Sequence, residues 1–422
     1  MERKRYRILL ITTGFAPYEF SEAIVNSKLV LVLKEAGHEV DVITRESKQV
    51  YSTGWSELWE PLRSSTYFVV GDSKNRFIRI SEIVYSFFFF KYPIQGIRWG
   101  YKVYKLAVQL NKSRNYQILM TRMPSDIPHL IGKKINHKLK IPWIANWNDP
   151  TDNIRPLLKD RNLIKSIIYR LLVKDVFEKA DFNTYPSKEL WDHYNSRILR
   201  NNSSQVEIIP HVSIRAPMNS RKKRISRDTF SLCHAGNLGS NIEIKPLLEA
   251  IAKIKNESTV KLSLHFFGIF DKDFISLTFK YNLQDTIFFH KSKPYELMLS
   301  DLSNYEVLLL LEGQYETGIL LLSKLSDYAS AGRPILCVSP ANGVIPDLIK
   351  KYGGGVAVDN KNSLSIYEGL IEMINDWNNE WVNSKVFSIN NLFEQFCPMR
   401  ILSKYEEIFD KIVLQKELLR SE

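Results

Sequence analysis

The sequence predicts an α/β fold with two domains, each built on a parallel sheet flanked by helices. Short apolar runs alternate with helical segments along the whole chain, which is the pattern of repeated β–α–β units. A strand, a glycine-containing loop and a helix open the chain, and the same order begins again after a polar, basic stretch at residues 219–227. The chain has 422 residues, more than one typical domain holds.

In the first half, predicted strands and helices follow one another in the order of a parallel sheet. Helix 21–37 has apolar side chains at recurring positions and ends at a glycine, which suits a helix C-terminus. Helices that connect successive strands imply parallel pairing. The predicted strands are 7–12, 39–44, 117–121, 143–146, 182–184 and 206–209, and the helices are 21–37, 127–139 and 163–178.

The second half repeats this organisation and ends in a helical segment. Its predicted strands are 230–235, 262–267, 286–290, 307–311, 335–338 and 355–358, with a glycine-rich loop at 236–239 and a helix at 243–255. Two Rossmann-like domains result, at residues 1–205 and 206–385, followed by a C-terminal segment at 386–422 that returns to the first domain. Ligands bind such sheets at the carboxyl ends of the strands, so we expect the active site in the cleft between the domains.

Composition and cysteine usage indicate a globular protein of a reducing compartment. Hydrophobic residues make up 44% and charged residues 25% of the chain, which is ordinary for a globular protein. Cys233, Cys337 and Cys397 are scattered and show neither zinc-ligand spacing nor a disulfide framework. The basic N-terminus is followed by an apolar run of only strand length, so we expect no signal peptide and a cytoplasmic location.

The net charge of +12 is unevenly distributed. Residues 1–220 contain 34 Lys and Arg and 21 Asp and Glu, a balance of +13, whereas residues 221–422 have a balance of −1. A basic first half predicts a surface that faces anionic lipid, polyphosphate or nucleic acid. No zinc-finger, zipper or single-strand-binding motif accompanies the charge, so we expect no nucleic acid partner.

The segment LSKLSDYASAGRPI, which begins at Leu322, is the most informative part of the chain. Ser323 and Lys324 stand at the start of a predicted helix between two apolar strands, and Asp327 follows about one turn later. A helix N-terminus favours an anion, and the hydroxyl and ammonium groups add a donor and a charge. Asp327 would accept hydrogen bonds from sugar hydroxyls. An ordinary strand–helix–strand unit with a capping serine would also have this pattern.

Seven segments form an ordered set of motifs along nearly the whole chain: RILLITTGFAPYEFSEAIVNSKLVLVLKEAGHEVDVIT, IPWIANWNDP, IIPHV, HAGNLG, LSKLSDYASAGRPIL, GVIPDLIKKYGGGVAV and FCPMRILSKYEEIFDKIV. In this order they resemble the GT-B glycosyltransferases, in particular the retaining family 4 of bacterial surface polysaccharide synthesis. The first strand, loop and helix resemble that family's opening, and the final segment resembles its returning helix.

This resemblance implies a nucleotide-sugar donor as substrate, no cofactor, and a lipid-linked or polysaccharide acceptor held by the first domain. Two features depart from the family. The usual phosphate-binding Arg and Lys are replaced by Asn237 and Ile242, and the first acid of the E-x7-E pair is replaced by Ile319. We therefore expect Lys324 and backbone N–H groups to bind the diphosphate. The donor-binding residues implied are Gly14, Ser21, Gly236, Asn237, Gly239, Ser323, Lys324 and Asp327.

Two acids are candidates for catalysis. Asp149 follows a buried strand at the expected cleft and could take the proton of the acceptor hydroxyl, although an acid before Pro150 also suits a turn or a helix cap. Glu316 could stabilise positive charge on the sugar, or lie in a loop without a role. Glu316 and Glu312 both lie near the missing first acid of the E-x7-E pair, but at the wrong spacing. Asp271 and Asp273 have the spacing of a metal motif, but we interpret them as a solvated turn and predict no metal site.

Two alternatives to sugar transfer remain open from the sequence. A GT-B nucleotide-sugar 2-epimerase shares the fold, and the missing Arg and Glu would suit a partner subunit without activity. The aromatic segment 83–99 is too short and interrupted to span a bilayer. It could lie on the inner face of the membrane, with Lys102, Lys105, Lys112 and Arg114 nearby, or pack as a helix on the first sheet.

Overall fold

The computed structural model describes residues 4–46, 58–71, 75–93, 96–150, 163–199, 205–214, 225–238, 242–270, 272–381, 384 and 389–421. The chain forms two compact units. The first unit comprises Met1–Val212 together with Pro398–Glu422, and the second comprises Ser213–Cys397. The C-terminal helix therefore belongs to the first unit, as the sequence predicts.

The first unit is a seven-stranded parallel sheet with helices between its strands. The strands are arranged in the order β3-β2-β1-β4-β5-β6-β7. They are β1 (Arg7–Thr12), β2 (Glu39–Glu46), β3 (Thr66–Val70), β4 (Ile118–Arg122), β5 (Trp143–Asn146), β6 (Phe182–Tyr185) and β7 (Val206–Ile208). The helices before β7 are α1 (Ser21–Glu35), α2 (Glu60–Arg63), α3 (Arg76–Phe90), α4 (Ile97–Arg114), α5 (Ile127–Leu139), α6 (Leu163–Lys179) and α7 (Lys188–Tyr194).

The second unit repeats this plan with six parallel strands in the order β10-β9-β8-β11-β12-β13. The strands are β8 (Thr229–Ala235), β9 (Lys261–Phe267), β10 (Ile287–His290), β11 (Val307–Leu311), β12 (Ile335–Ser339) and β13 (Gly355–Asp359). The helices are α8 (Lys245–Glu257), α9 (Lys272–Lys280), α10 (Tyr295–Asp301), α11 (Lys324–Ala331), α12 (Val344–Tyr352), α13 (Ser363–Asn378) and α14 (Ile389–Phe393). Helix α15 (Pro398–Ser421) then joins the first unit.

The central strands are continuous apolar runs because helices cover both faces of each sheet. Every residue of β4, β5, β11 and β12 is buried. In the second unit, Val307, Leu309 and Leu311 pack on the side of the sheet that carries α8 and α13. Because side chains alternate along a strand, Leu308 and Leu310 lie on the other face.

Helix α15 is fixed to the first unit by polar contacts as well as by its apolar side. Lys404 Nζ donates to Glu207 Oε1 at 2.6 Å and to the Ile208 carbonyl at 2.8 Å, which ties the helix to β7. The Arg122 guanidinium donates to the Tyr405 hydroxyl at 3.0 Å, which ties it to the end of β4. The last helix therefore supports the edge of the sheet at which β4 ends.

Each sheet reverses its strand order at one place, which is where α/β sheets bind ligands. The reversal lies between β1 and β4 in the first unit and between β8 and β11 in the second. The residues that leave these strands at their carboxyl ends include Gly14, Arg122, Gly236 and Glu312. Functional side chains of each unit are therefore expected near these residues.

Candidate functional site

Lys324 and Gly236 lie against each other at the carboxyl end of the second sheet. Gly236 follows β8 with φ 124°, a backbone conformation that favours glycine. A Cβ atom at this position would lie 2.6 Å from both Cε and Nζ of Lys324. Two constraints therefore favour glycine at position 236: the backbone angle, and the Lys324 side chain in the space that a Cβ atom would need.

The Lys324 ammonium meets a neutral imidazole. His234 Nδ1 lies 2.9 Å from the Leu309 carbonyl and donates to it, so the lone pair of Nε2 faces Lys324 Nζ at 3.4 Å. Burial and the neighbouring Lys324 hold the pKa of His234 well below its usual range. Burial also lowers the pKa of Lys324 to about 8. No carboxylate of the described residues forms an ion pair with this lysine, so the site favours an anion.

Helix α11 begins at this lysine and is attached to the ends of two neighbouring elements. Ser323 occupies the position before the helix, and Gly332 ends it with φ 69°. The Tyr328 hydroxyl accepts from the Ala235 N–H at 2.9 Å and so fixes α11 to the end of β8. Asp327 is buried and accepts from the Tyr295 hydroxyl at 3.0 Å. The helix start is thus held firmly beside Gly236.

The loop after β8 uses several of its polar groups within the protein. The Gly236 N–H donates to the Phe267 carbonyl at 2.7 Å, and Asn237 Oδ1 accepts from the Ile269 N–H at 2.8 Å. These bonds align the loops after β8 and β9, so neither group is left over for a ligand. Gly239, also predicted to bind the donor, lies outside the described residues.

Glu312 and Glu316 have opposite surroundings, which the sequence did not reveal. Glu316 is exposed in the loop between β11 and α11. Glu312 is 3% exposed, and neither of its carboxyl oxygens has a hydrogen-bond partner among the described residues. A Cβ at Gly318 would lie 2.9 Å from Glu312 Oε1. Burial raises the pKa of Glu312 to about 8, which favours the protonated form of this carboxyl group.

In the first unit, the loop after β1 is compact around Gly14. A Cβ at Gly14 would lie 2.6 Å from the Phe20 ring, so the ring covers this glycine. The Gly14 carbonyl accepts from Asn26 Nδ2 at 2.9 Å, and Asn26 Oδ1 accepts from Arg122 at 2.6 Å. Ser21 is the first residue of α1 and is exposed. The loop is therefore connected to the end of β4 through Asn26.

Asp149 lies beside a second carboxyl group. It follows β5 and is half-buried, and its carbonyl accepts from the Tyr194 hydroxyl at 2.9 Å. The preceding Asn148 donates to Glu22 Oε2 at 2.7 Å, so the first turn of α1 reaches this turn. Burial, together with the negative charge of Asp149, raises the pKa of the Glu22 carboxyl well above its usual range, against the opposing effect of Arg122. The Glu22 carboxyl group therefore holds a proton more readily than an ordinary glutamic acid does.

Sequence reasoning did not find Glu22, Arg122 or the contact of His234 with Lys324. Arg122 is 3% exposed, ends β4, and forms no ion pair within the described part of the chain. A charged residue at the end of an apolar strand was the available signal, since burial of an arginine needs a partner or a ligand. Glu22 gave no such signal, because acids are common in the first turn of any helix.

The described residues contain no group of three or more His, Cys, Asp or Glu side chains placed to hold a metal ion. Asp273 lies in the first turn of α9, and its predicted companion Asp271 lies outside the described ranges. No described helix combines the length and the apolar character that crossing a bilayer requires.

Comparison with known proteins identifies the fold. Residues 217–384 match the family described as glycosyl transferases group 1. Sucrose-phosphate synthase from Thermosynechococcus elongatus has a TM-score of 0.70 at 13% identity, covering 97% of this chain and 100% of its own. HepE from Anabaena, in complex with UDP and glucose, has a TM-score of 0.66 at 10% identity, covering 96% of this chain and 100% of its own. TarM has a TM-score of 0.63 at 11% identity, covering 96% of this chain and 98% of its own.

These similarities show that the chain has the GT-B fold, as the sequence predicts. No curated protein sequence is significantly similar to it. The family match covers the unit that holds Gly236 and Lys324, and several similar structures contain UDP, among them MnaA of S. aureus with a TM-score of 0.54 at 13% identity over 96% of this chain and 97% of its own.

Proposed function

We propose that the protein is a glycosyltransferase that moves a sugar from a nucleotide-sugar donor to a lipid-linked or polysaccharide acceptor. The observation that carries the proposal is the Lys324 ammonium, which lies at the start of α11 against Gly236 without a carboxylate partner among the described residues. The match of this unit to glycosyl transferases group 1, and the UDP in similar structures, support a nucleotide as the anion.

The donor half of the reaction is assigned to the second unit. When the bond between the sugar and the diphosphate breaks, the electron pair stays on the phosphate oxygen and negative charge accumulates there. Lys324 and the N-terminus of α11 stabilise this charge. Such electrostatic stabilisation of the transition state is usually the largest contribution that fixed protein groups make to catalysis. Asp327 and Ser323 then contact hydroxyls of the nucleotide.

The acceptor half is assigned to the first unit. Asp149 takes the proton of the acceptor hydroxyl while that oxygen bonds to the sugar carbon on the face from which the diphosphate leaves, so the configuration of that carbon is retained. Glu22 lies beside Asn148, the residue before Asp149, and its raised pKa favours the protonated form of its carboxyl group next to the charge of Asp149. We assign the retaining type and the bacterial surface-polysaccharide class on the order of the motifs alone, and an inner-membrane location on the basic first half.

Incubation with UDP-, GDP- and CMP-sugars and a bacterial lipid extract tests the proposal. Each nucleotide sugar is first screened for an increase in melting temperature, since a ligand that binds only the folded state stabilises it. Transfer of labelled sugar to the extract is the expected result. Isomerisation of the sugar without an acceptor would instead identify an epimerase, and binding without turnover would identify a partner subunit.

We expect transfer to proceed in excess EDTA. Lys324 and the N-terminus of α11 can stabilise the leaving diphosphate without a divalent cation. The measurement is the rate of nucleoside diphosphate release with EDTA and with added magnesium or manganese. A rate that EDTA abolishes and metal restores would show that Asp273 or another acid holds a catalytic ion.

Nucleotide affinity should depend on pH through Lys324. The pKa of this lysine is about 8, so its ammonium is charged below that pH and progressively neutral above it. Binding of a nucleoside diphosphate should therefore weaken as the pH rises from 7 to about 9, and the Lys324→Arg variant, charged throughout this range, should lose that dependence. An equal pH dependence in both proteins would exclude Lys324 as its cause.

A further inference from the structure

Helix α3 exposes an apolar surface that no described element covers. Six of its side chains are between 52% and 82% exposed. Their spacing of three, four and seven residues places most of them on one side of the helix. These residues form what we call the α3 face: Phe77, Ile80, Val84, Tyr85, Phe87 and Phe88.

Two polar side chains of the same helix, Glu82 and Ser86, point the other way, into the protein. Glu82 is 6% exposed and pairs with Arg98 at 2.9 Å, and Ser86 is fully buried and donates to the Tyr92 carbonyl at 2.9 Å. A surface helix of a water-soluble protein normally has the reverse distribution. The arrangement indicates that the outer side of α3 is matched to an apolar environment.

Lysine side chains lie close to aromatic rings beside the α3 face. Phe89 lies between this face and α4, with its ring centroid 5.5 Å from that of Tyr101. Lys134 Nζ lies 5.0 Å from the Phe89 ring, and Lys105 Nζ lies 4.6 Å from the Tyr101 ring. Burial, followed by repulsion from Lys133 and Lys91, lowers the pKa of Lys134, so positive charges are crowded here.

We infer that the α3 face docks on an anionic lipid bilayer, with α3 lying along the interface and its aromatic side chains among the acyl chains. Apolar side chains on the outer side and lysines beside them are the arrangement of interfacial helices, and the lysines complement anionic headgroups. The inference rests on the proposed function, because a lipid-linked acceptor requires such contact. It assigns the contact to the α3 face rather than to Lys102, Lys105 and Lys112 alone.

The two assignments differ in their response to salt. Attraction between lysines and anionic headgroups is screened within about 8 Å at physiological ionic strength. Burial of the α3 face in acyl chains does not depend on ionic strength in this way. Binding through the α3 face should therefore fall with salt and then level off, whereas binding through lysines alone should fall towards zero.

Sedimentation of the full chain with vesicles tests this inference. The vesicles are phosphatidylcholine with or without phosphatidylglycerol, and the variant is Phe77→Ser combined with Phe88→Ser. Phe279→Ser is the matched control, because Phe279 is an exposed phenylalanine of the second unit. Burial of two phenylalanines would change partitioning by roughly a hundredfold or more, so the double variant should lose nearly all binding while the control keeps it.

Three results would overturn the inference. The first is that the wild type does not bind phosphatidylglycerol vesicles at low salt. The second is that the double variant binds vesicles as well as the control does. The third is that the wild type forms dimers but binds no vesicles, and that the double variant does not dimerise. The last would identify a second copy of the chain as the occupant. Nucleotide affinity is measured on the same proteins, so failure of the docking surface is separated from failure of the proposed donor site.

Discussion

Replacement of Asp149 by asparagine should lower kcat/KM for sugar transfer by about 10²- to 10⁴-fold and leave donor affinity unchanged, as expected for loss of a general base. Asparagine keeps the size of the side chain and cannot accept the proton of the acceptor hydroxyl. Asp192→Asn is the matched control, because Asp192 is an exposed acid of the same unit that pairs with Lys188. Initial rates with labelled donor measure the effect.

The partner of Asp149 gives this prediction a second readout. Because the Asp149 charge contributes to the raised pKa of Glu22, Asp149→Asn should lower that pKa, which carbon-13 NMR of the side-chain carboxyl groups can follow. Loss of one carboxyl signal in Glu22→Gln assigns the resonance. If transfer by Asp149→Asn matched that of Asp192→Asn, another group would be the base.

The largest effect on stability is expected at the ion pair of Glu306 and Arg333. Both side chains are buried, and Arg333 Nη2 lies 2.5 Å from Glu306 Oε2. Glu306 Oε1 also accepts from the Ser226 N–H at 2.8 Å. Glu306→Ala leaves the Arg333 charge buried without its partner, so the free energy of unfolding should fall by about 3–5 kcal/mol.

Urea unfolding of the variant measures this loss, with Asp301→Ala as its control. Asp301 pairs with Lys293 at the surface, where an ion pair contributes about 0–1 kcal/mol. Similar losses of unfolding free energy in the two variants would mean that water compensates the Arg333 charge when Glu306 is removed. The pair matters for the site because Arg333 follows Gly332, the residue that ends α11.

Most strands could be predicted from the sequence because their physical signal is local. A buried parallel strand is a short apolar run, and β1, β5 and β11 have the predicted bounds. Strand β3 was not predicted, although residues 67–70 are a run of aromatic and β-branched residues; only one of its five residues is buried. The start of α11 at Lys324 and its end at Gly332 were also correct, because capping depends on near neighbours.

The chemistry around the two sheet edges depends on contacts between distant segments, which a single sequence does not contain. Glu22 and Asn148 are 126 residues apart, and His234 and Lys324 are 90 apart. The orientation of α3 was undecided for the same reason. Its aromatic residues fit a helix packed on the sheet as well as one that faces a membrane, and the sequence does not show that Glu82 and Ser86 are buried while most of the aromatic residues are exposed.

Calorimetric titration of UDP and GDP shows whether Lys324 binds the diphosphate of a nucleotide. Lys324→Ala should weaken binding by about 1.5–3 kcal/mol, roughly a ten- to hundredfold loss of affinity, as for a charged hydrogen bond. Lys245→Ala, at an exposed lysine of the same unit, should bind like the wild type. Unchanged affinity in a folded Lys324→Ala protein, or no binding of either nucleotide to the wild type, would contradict the account.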